Sequence, residues 1–192
     1  MTIAESLDEH AAERRLMYVE REAIDAHRIH GFVLGRSESL LLLHYVCDFR
    51  LDGLMVLRLS DVSRVASDRT MAFQTRALKD EGSYDRVDFE RSHDLTDWPS
   101  ALAGIGAPGE YVVVEDEGLD CPTTVIGRLE SADDGGGFVV VHGFGGAGTW
   151  DEEPSRFAHE DISSVQLDSH YLRMYRKYLR TSPPTPGRGS SG

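Results

Sequence analysis

The second half of the chain repeats, in order, four short segments of the first half. The clearest pair is residues 60–65 and 160–165, which share Asp, a β-branched residue, Ser and Val at matching positions. The four matched pairs are residues 20–26 with 115–121, 33–36 with 125–128, 41–44 with 139–142, and 60–65 with 160–165. The spacing changes only where Gly-rich or Asp-rich stretches can absorb the difference. Matches in a constant order indicate that one structural unit has been duplicated.

Each copy has the residue pattern of a strand-rich unit. Residues 111–114 are aromatic and β-branched, and residues 138–141 form a short apolar run flanked by glycines. Asp52-Gly53 lies between two apolar runs, which predicts a hairpin turn there because both residues tolerate a positive φ. Many strands in about 60 residues favour a small, strongly bent barrel over an open sheet.

Helices are expected at the N-terminus and after each copy. Capping boxes at Thr2 and Ser6 predict the N-terminal helix. Behind the second copy, four apolar residues share one helical face: Tyr171, Met174, Tyr175 and Tyr178. The expected organisation is an N-terminal helix at 1–14, a first barrel-like repeat with its helix at 15–81, a linker with a short helix at 82–109, a second repeat with its helix at 110–180, and a disordered tail at 181–192.

Motifs of the second copy resemble those of known small barrels. A Gly-Arg-Leu turn, an acidic turn, a Val-rich strand and a late Asp-Ile strand resemble the Sm-like and SH3-like barrels; the segments are residues 127–129, 133–134, 138–141 and 161–165. Over residues 15–180 the chain is also similar to uncharacterised bacterial proteins with a Trp-Pro helix, Ile-Gly-Arg, Gly-x-Trp and a Tyr-rich helix. The resemblance implies an α+β fold, mainly β: two tandem small Sm-like or SH3-like β-barrels, each followed by a helix, with an N-terminal helix.

The formal charge of −13 restricts the kinds of partner. Such a chain repels phosphate backbones and anionic lipid over most of its surface. The longest apolar run, residues 40–43, is far too short to span a bilayer, and the N-terminus has no signal-peptide pattern. Cys47 and Cys121 are too few for a disulfide framework. A cytoplasmic protein without membrane association is therefore expected.

The sequence carries no convincing catalytic, cofactor or metal signature. Residues 143–148 fit the G-x-G-x-x-G pattern, but three carboxylates and Pro154 follow instead of the helix that would hold a pyrophosphate. His44 and His142 end equivalent apolar strands, and neither has a Cys or another His at ligand spacing. We therefore expect a protein that is not an enzyme and needs no cofactor or metal.

Aromatic and basic residues gather around the C-terminal helix. Since aromatic side chains anchor interfaces, these residues form a candidate partner-binding surface: Trp150, Tyr171, Tyr175, Arg173, Arg176 and Lys177. The alternative is that the helix packs its rings over the barrel mouth, which the helical spacing favours.

The sequence predicts a non-catalytic protein-interaction module that binds another protein through its acidic faces or a barrel edge. The two copies are expected to face each other as a pseudo-dimer that buries strand edges. Assembly into a homo-oligomer is left as a further alternative. The second hypothesis is single-stranded RNA binding through the Sm-like surface, with Arg36, Arg64, Arg128 and residues 173–180 as the basic patch. Salt dependence separates the two, because phosphate contacts weaken steeply with salt.

Overall fold

A computed structural model describes residues 1–106, 108–118, 122–179 and 183. Within these ranges the chain forms four α-helices and ten β-strands. The first half contains α1 (Ile3–Ala12), β1 (Met17–Arg21), β2 (Asp25–Arg36), β3 (Leu40–Cys47), β4 (Arg50–Arg58), β5 (Arg64–Ala66) and α2 (Arg69–Asp80). The second half contains α3 (Trp98–Ile105), β6 (Tyr111–Asp116), β7 (Thr123–Ser131), β8 (Phe138–Gly143), β9 (Ser155–Ala158), β10 (Ser164–Leu167) and α4 (His170–Tyr178).

All ten strands of the described residues belong to one antiparallel sheet in the order β5-β1-β2-β3-β4-β10-β6-β7-β8-β9. The expected pair of separate closed Sm-like or SH3-like barrels is therefore wrong, although the content is α+β and mainly β. A closed first barrel would pair β4 with β5 of its own half. Instead β4 pairs with β10, with Val56 opposite Val165. The N–H and C=O groups of β4 thus find their partners across the junction between the halves.

The two halves nevertheless share one strand order, with β10-β6-β7-β8-β9 repeating β5-β1-β2-β3-β4. Val65 of β5 pairs with β1 in the register in which Val165 of β10 pairs with β6. The hydroxyls of Ser63 and Ser163 each donate over 2.9 Å to a carbonyl oxygen of that neighbouring strand. Such detailed agreement supports a duplicated unit in which β5 and β10 correspond at an offset of 100 positions.

The structure places one pair of repeated glycines differently from the sequence match. The sequence aligns Gly35 with Gly127, but Gly31 is the residue that occupies the equivalent position. A Cβ on Gly31 would lie 3.0 Å from the carbonyl oxygen of His44, and one on Gly127 would lie 2.2 Å from that of His142. The short motif Val-x-Gly-Arg misled because β2 is longer than β7, so the same letters occur at different points of the ladder.

The turn expected at Asp52-Gly53 is also wrong, because β4 runs through both residues. The chain turns at Asp48 and Phe49, which have φ of 45° and 63°. Gly53 is needed for a close approach instead: it has φ of 84°, and a Cβ there would meet the carbonyl oxygen of Leu167 at 2.1 Å. Gly53, which the sequence predicted to be a turn residue, is therefore the place where the backbone at the end of β10 comes closest to β4.

Each half begins with a capped helix that covers part of its core. Thr2 forms a capping box for α1, as expected, and the Asp97 carboxylate accepts the third backbone N–H of α3. Leu7 and Leu102, at matching places in these helices, are fully buried. Among the described residues, no helix is both long and apolar enough to cross a membrane.

The main core crosses the junction between the halves. It combines Leu42 and Val56 of the first half with the interior of the second half and with Trp98 of α3. Two smaller clusters lie under α1 and α2. Since one cluster includes side chains of both halves, burial of apolar area stabilises the halves together rather than as two independent cores.

Candidate functional site

The C-terminal helix α4 starts at a well-defined cap next to the junction of β4 and β10. The buried Ser169 hydroxyl accepts the backbone N–H of Leu172 at 3.3 Å. The Asp52 carboxylate accepts the backbone N–H of His170 at 2.6 Å. Two partners for the first-turn N–H groups stabilise this end of the helix. They also set the direction in which α4 leaves the sheet.

One side of α4 packs on an aromatic cluster of the second half. Leu172 is 1% exposed. The ring of Tyr175 lies 4.7 Å from that of Phe144, and its hydroxyl donates to the carbonyl oxygen of Gly146 at 2.9 Å. The ring of Trp150 lies edge-on to Phe144 at 5.2 Å. Tyr175 and Trp150 therefore anchor the helix and the loop beneath it.

The adjacent side of α4 leaves three large apolar residues exposed, which we call the α4 face: Tyr171, Met174 and Tyr178. Their exposed fractions are 47%, 39% and 58%. They follow the i, i+3, i+7 spacing of a single helical stripe. A hydrogen bond of 3.3 Å from the Tyr171 hydroxyl to that of Tyr175 ties the face to the anchored side and raises the pKa of Tyr171.

The α2 helix shows what the same positions do in the first half. Its residues at the 100-position offset from the α4 face are Met71, Gln74 and Leu78, with exposed fractions of 2%, 8% and 0%. Both helices follow equivalent strands, but α2 turns this stripe into its own core and α4 turns it to solvent. The sequence predicted an apolar stripe in α4 and could not tell which part of it would be covered.

The basic residues of the predicted surface lie along α4 and make contacts within the chain. Arg173 bonds the Asp168 carboxylate at 3.1 Å, and Arg176 bonds that of Glu110 at 2.9 Å. The Lys177 ammonium lies 5.1 Å from the ring centre of Tyr178. Of the six predicted surface residues, Tyr171 and the three basic residues are exposed, Tyr175 lies on the packed side of α4, and Trp150 lies in the loop beneath the helix.

A second polar cluster lies inside the junction between the halves. Arg21 of β1 donates to both carboxylate oxygens of Glu117, at 2.6 and 3.1 Å, and the Ser163 hydroxyl oxygen lies 2.8 Å from the same carboxylate. Arg21 and Glu117 are only 6% and 15% exposed. Burial raises the pKa of the neighbouring carboxyls Glu115 and Asp61. The two residues are 96 positions apart in the sequence, and no motif in the sequence predicted that they would pair.

The paired histidines are set into the sheet rather than gathered into a site. The ring of His142 is 1% exposed, and its two nitrogens lie 3.2 Å from the Glu130 carboxylate and 2.9 Å from the carbonyl oxygen of Asp151. Burial lowers the pKa of His44. Within the described ranges, no group of three or more His, Cys, Asp or Glu side chains is placed to hold a metal ion.

The glycine-rich segment 143–148 closes a tight loop. Phe144 and Trp150 form an antiparallel bridge, and the N–H of Gly145 donates to the carbonyl oxygen of Thr149 at 2.9 Å. The chain then continues to β9 without a helix at this point. A pyrophosphate site of the dinucleotide type needs such a helix, so this loop lacks that geometry.

A surface cavity lies where α1, α3 and the loop before β10 meet. Its volume is about 710 Å³ and its lining is mainly apolar, with Ile3, Leu59 and Trp98 among the walls. Arg58 also lines it, but the guanidinium bonds the carbonyl oxygens of Glu160 and Ile162. The cavity thus marks a seam between structural elements, where the Arg58 guanidinium is already used in contacts within the chain.

Two arginines of the predicted RNA-binding patch are also held by acidic partners. Arg36 bonds the Asp8 carboxylate at 2.7 Å, and Arg64 lies 3.5 Å from that of Glu20. At these two positions of the predicted patch, the positive charge is therefore already paired with a carboxylate of the chain.

Comparisons with protein-family models, with curated proteins and with solved structures found no match to this chain.

Proposed function

We propose that the chain is a non-catalytic protein-interaction module that binds another protein through the α4 face. The observation that carries this proposal is the exposure of Tyr171, Met174 and Tyr178 at positions that α2 buries. Packing within the described part of the chain does not account for three large apolar residues on one exposed stripe. Such stripes are typical of helices that dock on a partner.

The charge around the α4 face favours an acidic partner segment. Lys177 lies next to Tyr178 of the face, and the exposed Arg173 and Arg176 lie further round the same helix, on a chain whose formal charge is −13. The ion pairs of Arg173 and Arg176 are solvent-exposed, so exchanging them for a partner's carboxylates costs little. A segment with apolar residues for the stripe and carboxylates at its rim therefore complements this surface, and its charges would steer association.

The test is capture of partners with tagged protein carrying a disrupted α4 face. Tyr171→Ser, Met174→Ser and Tyr178→Ser together remove the stripe, whereas Phe73→Ser is the matched control because Phe73 is a 51% exposed aromatic residue of α2. We expect a protein that is bound by wild type and by the control and lost with the triple variant. Circular dichroism must show that all three proteins are folded.

The outcome that contradicts the proposal is equal capture of the same proteins by the triple variant and the control. A photo-cross-linking residue in place of Lys177 gives an independent measurement, since it is expected to label the captured protein directly. Recovery of RNA that salt releases, instead of a protein, would overturn the proposal and favour the RNA hypothesis.

A further inference from the structure

The junction between the halves shows how one repeat pairs with the next. Val56 of β4 lies opposite Val165 of β10, and both residues are fully buried. The backbone N–H of Arg58 donates to the carbonyl oxygen of Ser163 at 2.9 Å, continuing the ladder. Beyond the other end of the ladder, Asp52 accepts the N–H of His170 at the start of α4. The interface therefore combines a strand edge with a carboxylate at a helix start.

The internal junction pairs β4 with β10. Because the unit is duplicated, each of these strands has a counterpart in the other half, and both counterparts lie at the ends of the sheet. β9 takes the place of β4, since Ser155 lies opposite Val141 as Met55 lies opposite Leu43. β5 takes the place of β10. Within the residues that the structure describes, β5 and β9 are the two edges and each pairs on one side alone. One molecule thus carries one edge of each kind.

From this continuity we propose that β9 of one molecule pairs antiparallel with β5 of a second copy of the chain. The internal junction sets the register: Arg156 lies opposite Val65, Phe157 opposite Arg64, and Ser155 opposite Ala66. Val65 is half-buried and Arg156 is exposed, so both positions are accessible in a single molecule. Joining two different edges gives a head-to-tail contact, which repeats until a ring closes or a filament grows.

The charges beside the two edges fit this contact. Glu152 is the counterpart of Asp52, and it lies in an exposed run of three carboxylates before β9. The counterpart of His170 is Thr70, in the first turn of α2 beside the exposed Arg69. The N–H of Thr70 already donates to the capping Asp68 carboxylate at 2.8 Å, so the exposed Arg69 is the group of the next copy that the carboxylates would approach favourably.

The contact between copies is expected to be weaker than the internal junction. Ala158 stands where Arg58 bonds two carbonyl oxygens across the internal junction. Pro154 stands where Leu54 pairs with β10, and proline has no N–H to donate. Arg156 replaces the buried Val56. Charged residues and Pro limit pairing at sheet edges, so association is expected to depend on concentration.

A cysteine pair tests the register directly. With Cys47→Ser and Cys121→Ser as background, Val65→Cys and Arg156→Cys place one thiol on each of the two edge strands, β5 and β9. Directly opposed residues on paired strands are close enough for a disulfide. We expect disulfide-linked dimers and higher species under mild oxidation. In the control pair Val65→Cys with Glu153→Cys, the second thiol is shifted by three residues, about 10 Å along the strand, and should link far less.

Sedimentation velocity of the wild-type chain over a wide dilution series gives the second measurement and needs no variant. A species that grows with concentration, whether a closed ring or a filament, together with register-specific linking supports the proposal. A chain that stays monomeric throughout the series overturns it, as does an oligomer that links equally through the control pair. Neither measurement involves the α4 face, so a failure here leaves the proposed function to its own test.

Discussion

The ion pair between Arg21 and Glu117 provides the sharpest test of how the two halves are joined. The guanidinium donates two hydrogen bonds to the carboxylate, and both side chains lie almost entirely inside the junction. Glu117→Ala would leave a buried guanidinium without its anion. Removing one partner of a buried pair typically costs 3–5 kcal/mol, and we expect about 3 kcal/mol because Glu117 keeps some contact with solvent.

Urea unfolding measures this loss. With a slope of about 2 kcal/mol per molar urea, a loss of about 3 kcal/mol lowers the midpoint by roughly 1.5 M. The matched control is Glu90→Ala, which removes the partner of Arg14 in an exposed ion pair and should leave the midpoint unchanged. A loss below about 1 kcal/mol for Glu117→Ala would refute the reasoning, since a buried guanidinium cannot lose its partner so cheaply.

A double replacement separates the contribution of the two charges to the free energy of unfolding from the contribution of apolar packing at the same position. Arg21→Met with Glu117→Leu removes both charges and keeps much of the apolar volume. Because two desolvated charges cost free energy that their attraction only partly returns, the double variant is expected to be more stable than Glu117→Ala alone. A double variant that is less stable than the single one would show that Arg21 is held by contacts other than this pair.

Two further predictions concern burial within the sheet. Burial raises the pKa of Glu115, so its contribution to stability is fully present below the ordinary value of 4.5 and is lost as pH rises through the folded-state pKa. Glu115→Gln keeps an acceptor for the Ser164 hydroxyl and should raise the melting temperature at neutral pH; a lower melting temperature there would contradict the sign. Gly127→Ala should lose about 1–3 kcal/mol in chemical denaturation, because its Cβ would meet the His142 carbonyl oxygen at 2.2 Å. Gly31→Ala, where the corresponding distance is 3.0 Å, should lose less, and the reverse order would disprove the steric explanation.

Local features of the fold were readable from the sequence because neighbouring residues produce them. The Thr2 capping box places a side-chain oxygen within reach of the N–H group three residues away. The apolar stripe of α4 follows from helical periodicity alone. The repeated order of segments likewise predicted a duplicated unit, whose strand order the structure shows twice. Each of these depends on short stretches of chain.

The tertiary structure alone decided how the repeated units combine. Whether β4 pairs with β5 or with β10 depends on backbone groups that are the same in every residue, so side-chain patterns do not distinguish a closed barrel from a continued sheet. Arg21 and Glu117 meet only because that junction forms. The exposure of Tyr178 has the same origin: periodicity made the stripe, and the packing of α4 against the second half decided which side faces solvent.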